Sequence, residues 1–191
     1  MTTETILSIF LGIGLSASVG FRVFLPLFAL SLAAYFDVWE LNASWSWIGS
    51  TTAIIILGIA TLVEIAAYYI PLVDNALDTI AILLATIAGT AVMVSTLADL
   101  SPVITWVLAI IAGGGTAAAV KSTASATRLG STVSTAGLGN PVVSTLETGT
   151  SMLMSIISIF LPILAIILVF FIFYIVFKLY KKLKPNKSKS S

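Results

Sequence analysis

Arg22 and Glu64 stand inside long apolar stretches of this 191-residue chain, Lys121, Arg128, Asn140 and Glu147 stand in a polar stretch between such segments, and their chemistry is that of ion pairing, anion binding and proton uptake. Their spacing gives them neighbours. Gly14, Ser18 and Arg22 fall at i, i+4 and i+8, along one face of a helix, and Gly113, Ala117 and Lys121 repeat the arrangement. Thr61, Glu64 and Tyr68 share a face, as do Ser144, Glu147 and Ser151. A charge at the centre of a bilayer costs roughly 2.5–3.5 kcal/mol even on the lenient scale, so Arg22 must face the protein interior and have a partner there. Glu64 and Glu147 are the candidate partners. A buried carboxylate either pairs with a cation or takes up a proton. Two readings follow: a group that coordinates substrate or carries protons, or a static Arg–Glu pair that sets helix register. The glycine and serine stripes (Gly12, Ser16 and Gly20 form a second one beside Gly14 and Ser18) equally serve close helix packing. Asp74 and Asp78, also at i and i+4, read as acids at a helix N-terminus, or more sharply as paired carboxylates at a cation entrance.

Other chemistries are excluded. The chain has no His and no Cys, which removes disulfides, thiol catalysis, imidazole metal sites and a Ser-His-Asp triad. Gly115 to Ser122 approaches a phosphate-binding loop, but Val120 stands where that loop needs glycine and no strand precedes it. No cofactor, no metal and no nucleic acid is expected. No paired carboxylates clearly share one site, so an enzyme is not expected either.

The elements that position these residues are membrane helices. The chain is 59% hydrophobic and 9% charged, with a mean hydropathy of +1.13, whereas a soluble domain carries about 25% charged residues. The fold class is therefore all-α: a polytopic bundle in one domain over 1–183, with halves 1–98 and 99–183 and a basic tail at 184–191. Met-Thr-Thr-Glu lacks the positive region of a signal peptide, so the first helix is expected to stay. The first apolar run, Ile6 to Tyr35, is too long for one straight crossing, and Pro26 is its expected kink. Further spans are expected over about 48–70, 76–97, 103–121, 141–161 and 162–182, with Asp74 as N-cap of the third. Residues 122–140, rich in Ser, Thr and Gly, are expected to form a broken or re-entrant segment or a loop. Broken backbone survives at bilayer depth only inside protein or beside a water-filled cavity, which makes Ala112–Ser151 the expected functional centre.

Orientation follows from charge. Lys178 to Lys189 place the C-terminus in the cytoplasm, and six spans bring the N-terminus to the same side. Five spans, with the segment before Pro162 not crossing, would put Lys121 and Arg128 outside. The echo between Gly14–Arg22 and Gly113–Lys121, each followed one span later by a glutamate, predicts a 3+3 inverted repeat of the transporter type.

GLSASVGFRVFLP (Gly14–Pro26), VEIAAYYIPLVDNALD (Val63–Asp78), AGGGTAAAV (Ala112–Val120) and AGLGNPVVSTLE (Ala136–Glu147) resemble the domain of unknown function 4126 family of small membrane proteins. The resemblance implies an integral membrane protein of a bacterial inner membrane or a plastid-type membrane, and it brings no activity with it. The residues lead to a small transporter or channel for a small anion or a proton-coupled solute. Its path would be lined by Arg22, Glu64, Lys121, Arg128, Asn140 and Glu147, with Ser18, Asp74, Asp78, Ser144 and Ser151 in support. The alternatives are a lipid-binding or lipid-scrambling protein, and a non-transporting scaffold or assembly factor. Membrane lipids, a small ion or solute and a second copy of the chain are the expected partners.

Overall fold

The computed structural model describes residues 2–97 and 100–183, without the side chains of residues 71, 72, 74, 75, 179, 180, 182 and 183. The basic tail at 184–191 and the boundary of the expected halves at 98–99 lie outside the described residues. The chain is an all-α integral membrane protein. Its helices are α1 (Thr3–Phe21), α2 (Phe24–Tyr35), α3 (Thr51–Ala67), α4 (Pro71–Thr96), α5 (Pro102–Leu108), α6 (Gly115–Thr135), α7 (Asn140–Phe160) and α8 (Pro162–Leu183). A 3-10 helix, Ala43–Gly49, precedes α3, and a π-turn, Ala109–Gly114, joins α5 to α6. Among the described residues, four helices are long and apolar enough to cross a membrane: Thr3–Phe21, Ala76–Thr96, Pro102–Thr135 and Asn140–Phe160. The 3-10 helix and α3, bent by 65°, make a fifth span if taken together. Phe24–Tyr35 and the stretch Pro162–Lys178 are shorter apolar helices.

The first apolar run is not a kinked span. It breaks at Arg22, which is extended (φ −138°, ψ 131°), four residues before Pro26. A helix continued through Pro26 would lose the hydrogen bond to the Arg22 carbonyl and drive the ring into it, so the break falls one turn upstream of the proline. The chain then doubles back. Leu7 of α1 and Trp39, just past α2, line one recess, and Glu4, Ser8 and Asn42 line another. The Trp39 indole donates to the Ile159 carbonyl at the end of α7 (2.7 Å).

Side-chain neighbours fix the directions. α2 runs antiparallel to α3, with Phe28 against Gly58, Ser31 donating to the Ile48 carbonyl (2.5 Å) and Ala34 against Gly49. α1 lies centrally, and its two small-residue stripes serve different neighbours. Gly12 meets Met93 and Thr96, Ser16 donates to the Gly89 carbonyl, and Gly20 meets Val120. Gly14 meets Ser158 and Ala165, and Ser18 bonds Ser151 and Ser155. α1, α3, α5–α6 and α8 therefore run one way, and α2, α4 and α7 run back. Thr3 and the last turn of α8 stand at opposite ends of the bundle, not at the same end as the charge pattern led us to expect. The echoing segments on α1 and α6 both run antiparallel to α4 and hence parallel to each other. An inverted repeat would make them opposite, so these two segments are not related by one.

Residues 122–140 are also corrected. Pro102–Thr135 is one 34-residue helix, and no broken or re-entrant segment interrupts it before Ala136. The hydroxyls of Ser122, Thr123, Thr127 and Thr135 donate to carbonyls four residues back (2.7, 3.0, 3.0 and 2.8 Å), so these polar side chains are satisfied by their own helix. The chain turns only at Ala136 and Gly137, both at positive φ (52° and 87°). Asp74 lies in the first turn of α4 rather than capping it, because the helix begins at Pro71 with Ile70 as its N-cap.

The π-turn brings α4 and the long helix into backbone contact. A Cβ on Gly113 would stand 2.6 Å from the Gly89 carbonyl oxygen, and one on Gly89 would stand 2.5 Å from the Ala117 Cβ. The contact cannot open by a rotamer change, since backbone lies on one side of it. Gly113→Ala is expected to destabilise the bundle by about 1–3 kcal/mol through overpacking. Gly149→Ala, where a Cβ meets nothing within 4 Å, is expected to leave stability unreduced. Reversible unfolding of both variants in mixed detergent micelles measures the difference.

Candidate functional site

Backbone and side chains converge where α1 ends, α3 ends and α6 passes α7. The break at Arg22–Val23 leaves the first amides of α2 without intrahelical acceptors. Glu64, one turn before the end of α3, supplies them. One carboxylate oxygen, Oε1, accepts from the Val23 N–H (2.7 Å), and Oε2 accepts from the Phe24 N–H (2.9 Å). A carboxylate at a helix N-terminus is favoured by the dipole as well as by the two hydrogen bonds. The carboxylate expected to pair with Arg22 is thus the cap of a half-length helix.

Glu147 pairs elsewhere too. It accepts from Arg128 Nε (2.9 and 3.1 Å to its two oxygens), and Arg128 Nη2 closes the fork. Both side chains are buried. Lys121 Nζ donates to the Tyr68 hydroxyl (3.2 Å) and stands 3.9 Å from Asp78 Oδ1. Arg22, which is 0% exposed, donates through Nη2 to the Ser144 carbonyl (2.8 Å) and Ser144 Oγ (2.5 Å), and through Nε to Thr148 Oγ1 (3.0 Å). Its Nη1 has no hydrogen-bond partner among the described residues.

The centre of the cluster is Tyr68, one turn after Glu64. Arg22 Cζ lies 4.2 Å, Arg128 Cζ 4.4 Å and Lys121 Nζ 5.0 Å from its ring centroid. An aromatic face attracts a desolvated cation by up to about 2 kcal/mol. Tyr68 therefore lets three cations gather with less mutual repulsion than bare apolar surroundings would impose. Formal charge balances: Arg22, Lys121 and Arg128 against Glu64, Glu147 and Asp78. The hydrogen bonds do not balance in the same way. Glu64 is engaged by amides and Glu147 by Arg128, so Arg22 is held by neutral oxygens alone.

Of the residues singled out from sequence, the structure brings together Arg22, Glu64, Asp78, Lys121, Arg128, Ser144 and Glu147. Ser18 and Ser151 lie farther along the α1–α7 seam. Ser18 Oγ donates to the Ser151 carbonyl (2.7 Å) and contacts Ser155 Oγ (2.7 Å). Asn140 stands apart, joined to Thr132 (Nδ2 to Oγ1, 3.0 Å) across the α6–α7 turn. The Asp74 side chain lies outside the described residues. Sequence reasoning missed the Val23 and Phe24 amides, Thr148, and Tyr68 as a platform. The signals were present: Pro26 four residues after Arg22, and Tyr68 four residues after Glu64 on one face.

Beside the cluster a cavity of about 470 Å³ opens sideways between α3 and α4. Phe24, Ile59, Val63 and Leu84 form its walls, and Glu64 and Tyr68 stand at its inner edge. No metal-binding group of three or more acidic side chains occurs among the described residues.

Removing one member of a buried ion pair strands the other, at a cost of about 3–5 kcal/mol. Glu147→Gln is therefore expected to destabilise the protein by that amount. The double variant Arg128→Met/Glu147→Met is expected to recover most of the loss, as read from unfolding in detergent.

A family model described as a domain of unknown function (DUF4126) matches residues 9–182, and the chain belongs to that family. No curated protein and no solved structure matches it.

Proposed function

We propose that this member of the DUF4126 family is a small membrane carrier for anions, with Arg22 as the group that receives the anion. The observation that carries this reading is the state of Arg22: fully buried, bonded only to neutral oxygens, with Nη1 unpartnered and two further cations on the same tyrosine ring. A buried guanidinium N–H left without a partner carries a desolvation cost that a bound anion would remove. Support comes also from α7. Ser144, Ser151, Ser155 and Ser158 are buried on the face toward α1, and they form a run of hydroxyls leading from the charged cluster toward the other end of the bundle. Neutralising Arg22 removes the receiving charge. In proteoliposomes loaded with a panel of small anions, with and without a proton gradient, Arg22→Gln is expected to lower anion flux at least tenfold. Wild-type flux retained in that variant would end this assignment.

The sideways opening of the cavity favours a second reading, a protein that handles lipid. Transbilayer movement of fluorescent phospholipid, without anion flux, would replace the carrier reading with it.

We further propose six full-length crossings, α1, α3 with its 3-10 helix, α4, α5–α6, α7 and α8, with α2 as a short return leg. Lys178 and Lys181 then lie at one end of the bundle with Lys121 and Arg128, and Glu4, Asp37 and Glu40 lie at the other. By the positive-inside rule the end of α8 is cytoplasmic and Thr3 faces outward, in place of two cytoplasmic termini. The chain has no native cysteine, so single substitutions report directly. Thr3→Cys is expected to react with a membrane-impermeant maleimide on intact cells, and Lys181→Cys only after permeabilisation. The reverse pattern would overturn the orientation.

A further inference from the structure

We infer that the Glu64 carboxylate occupies the binding site of an aliphatic monocarboxylate, the substrate class of the carrier, and leaves that site when the ligand arrives. This rests on the anion reading of Arg22 and adds a location, a ligand class and a mode of entry.

Two independent observations meet at the break between α1 and α2. The first is the geometry of the cap. The two oxygens of one planar carboxylate take one amide each, Val23 at 2.7 Å and Phe24 at 2.9 Å. The site is thus shaped for a carboxylate, and Glu64 shows how one sits. The second is Arg22, the residue immediately before these amides. Its guanidinium lies over the Tyr68 ring, its Nη1 has no partner, and its charge acts on Glu64, so Arg22 stands within electrostatic reach of the carboxylate that caps these amides. Glu64 leaves this donor unused. A ligand not tethered to α3 can bond both amides and Nη1 together.

The approach is apolar. The cavity beside Glu64 opens between α3 and α4, and Ile56, Ile59 and Val63 on its rim are exposed on the flank of the bundle that faces lipid. About 470 Å³ holds an alkyl chain, and the walls offer nothing that a second charge could bond. A carboxyl head with an aliphatic tail matches both ends of this space. Such an acid reaches the cavity from the bilayer in its neutral form.

Charge balance dictates the exchange. The ionisable groups gathered with Glu64 in the cluster about Tyr68 are Arg22 at the break, Tyr68 on its own helix, Asp78 on α4, Lys121 and Arg128 on α6, and Glu147 on α7. Their formal charges, with Glu64, sum to zero. A second carboxylate added to this set would be unpaired in a low dielectric. The ligand's O–H bond therefore breaks as an O–H bond forms on Glu64, and the ligand carboxylate takes the Val23 and Phe24 amides and Nη1. One proton moves between two alkyl carboxyl groups of near-equal acidity, and no net charge enters. Neutral Glu64 is left free to swing toward the cavity.

The test is binding of carboxyl-13C-labelled decanoic acid and of labelled acetic acid to the purified full chain, read by NMR titration at pH 5.5 and pH 7.5. Wild type is expected to bind decanoate at least tenfold more tightly than acetate, and more tightly at the lower pH. Acetate bound as well as decanoate would show a water-borne source and overturn the assignment of the cavity. Glu64→Gln cannot accept both amides, so it is expected to bind decanoate at least tenfold more tightly than wild type at pH 7.5, with the pH dependence lost. Adding Arg22→Gln in that background is expected to reverse the gain. A folded Glu64→Gln protein that binds no better than wild type would sink the proposal. Should that variant fail to fold, Val63→Trp fills the cavity from an exposed position and leaves the charged cluster untouched. It is expected to weaken decanoate binding at least tenfold, and unchanged binding would overturn the proposal. Decanoate binding without any flux in proteoliposomes would retire the carrier and keep the site.

Discussion

Two backbone amides in the interior of a membrane protein set the terms for the rest of this structure. Pro26 prevents the first apolar run from continuing as one helix, and the break leaves the Val23 and Phe24 N–H groups without helical acceptors. In a bilayer no water stands ready to receive them, and each unsatisfied group would cost several kcal/mol. Glu64 meets that demand with both of its oxygens. The cap ties α2 to α3, allows α2 to return along α3, and sets the end of α1 beside the end of α3. The doubling back of the chain, and with it the placement of Thr3 opposite the end of α8, follows from this local accounting.

Once Glu64 is engaged by the backbone it is no longer the hydrogen-bonded partner of Arg22, and the buried charges have to be arranged around that fact. Glu147 takes Arg128, Asp78 stands near Lys121, and Arg22 is left with the oxygens of Ser144 and Thr148. Tyr68 makes the gathering of three cations tolerable by offering its ring to all of them. The cluster is neutral in sum but uneven in its bonding, and the unevenness falls on Arg22.

The small residues do separate work. Gly89, Gly113 and Ala117 bring α4 and the long helix within backbone contact, and the Ser18–Ser151–Ser155 contacts hold α1 to α7. These seams hold the elements that carry the cluster in register, so that Arg22 on α1, Lys121 and Arg128 on α6 and Glu147 on α7 meet in one place.

Much of this was legible in the residues. Hydropathy and the scarcity of charge determine an all-α membrane bundle, and bilayer energetics single out Arg22 as buried and partnered, with Glu64 and Glu147 as its candidate partners, because a lone charge there is too costly to be incidental. The two stripes of α1, read as packing surfaces, are packing surfaces. Which charge meets which was not legible, because pairing depends on which helix ends coincide in space. Glu64 could be given to Arg22 only while the first run was taken as a kinked span, and its capping role appears when the chain reverses. The Ser/Thr-rich stretch misled for a related reason. Hydroxyls bonded to carbonyls four residues back look identical in sequence to hydroxyls in a loop, and only backbone geometry tells them apart. The sequence by itself determined the composition of the site and the solvent it must live in, since those follow from the transfer energies of single residues. The tertiary structure alone decided partners, directions and the exposed side of the cavity, since those follow from distances between residues remote in the chain.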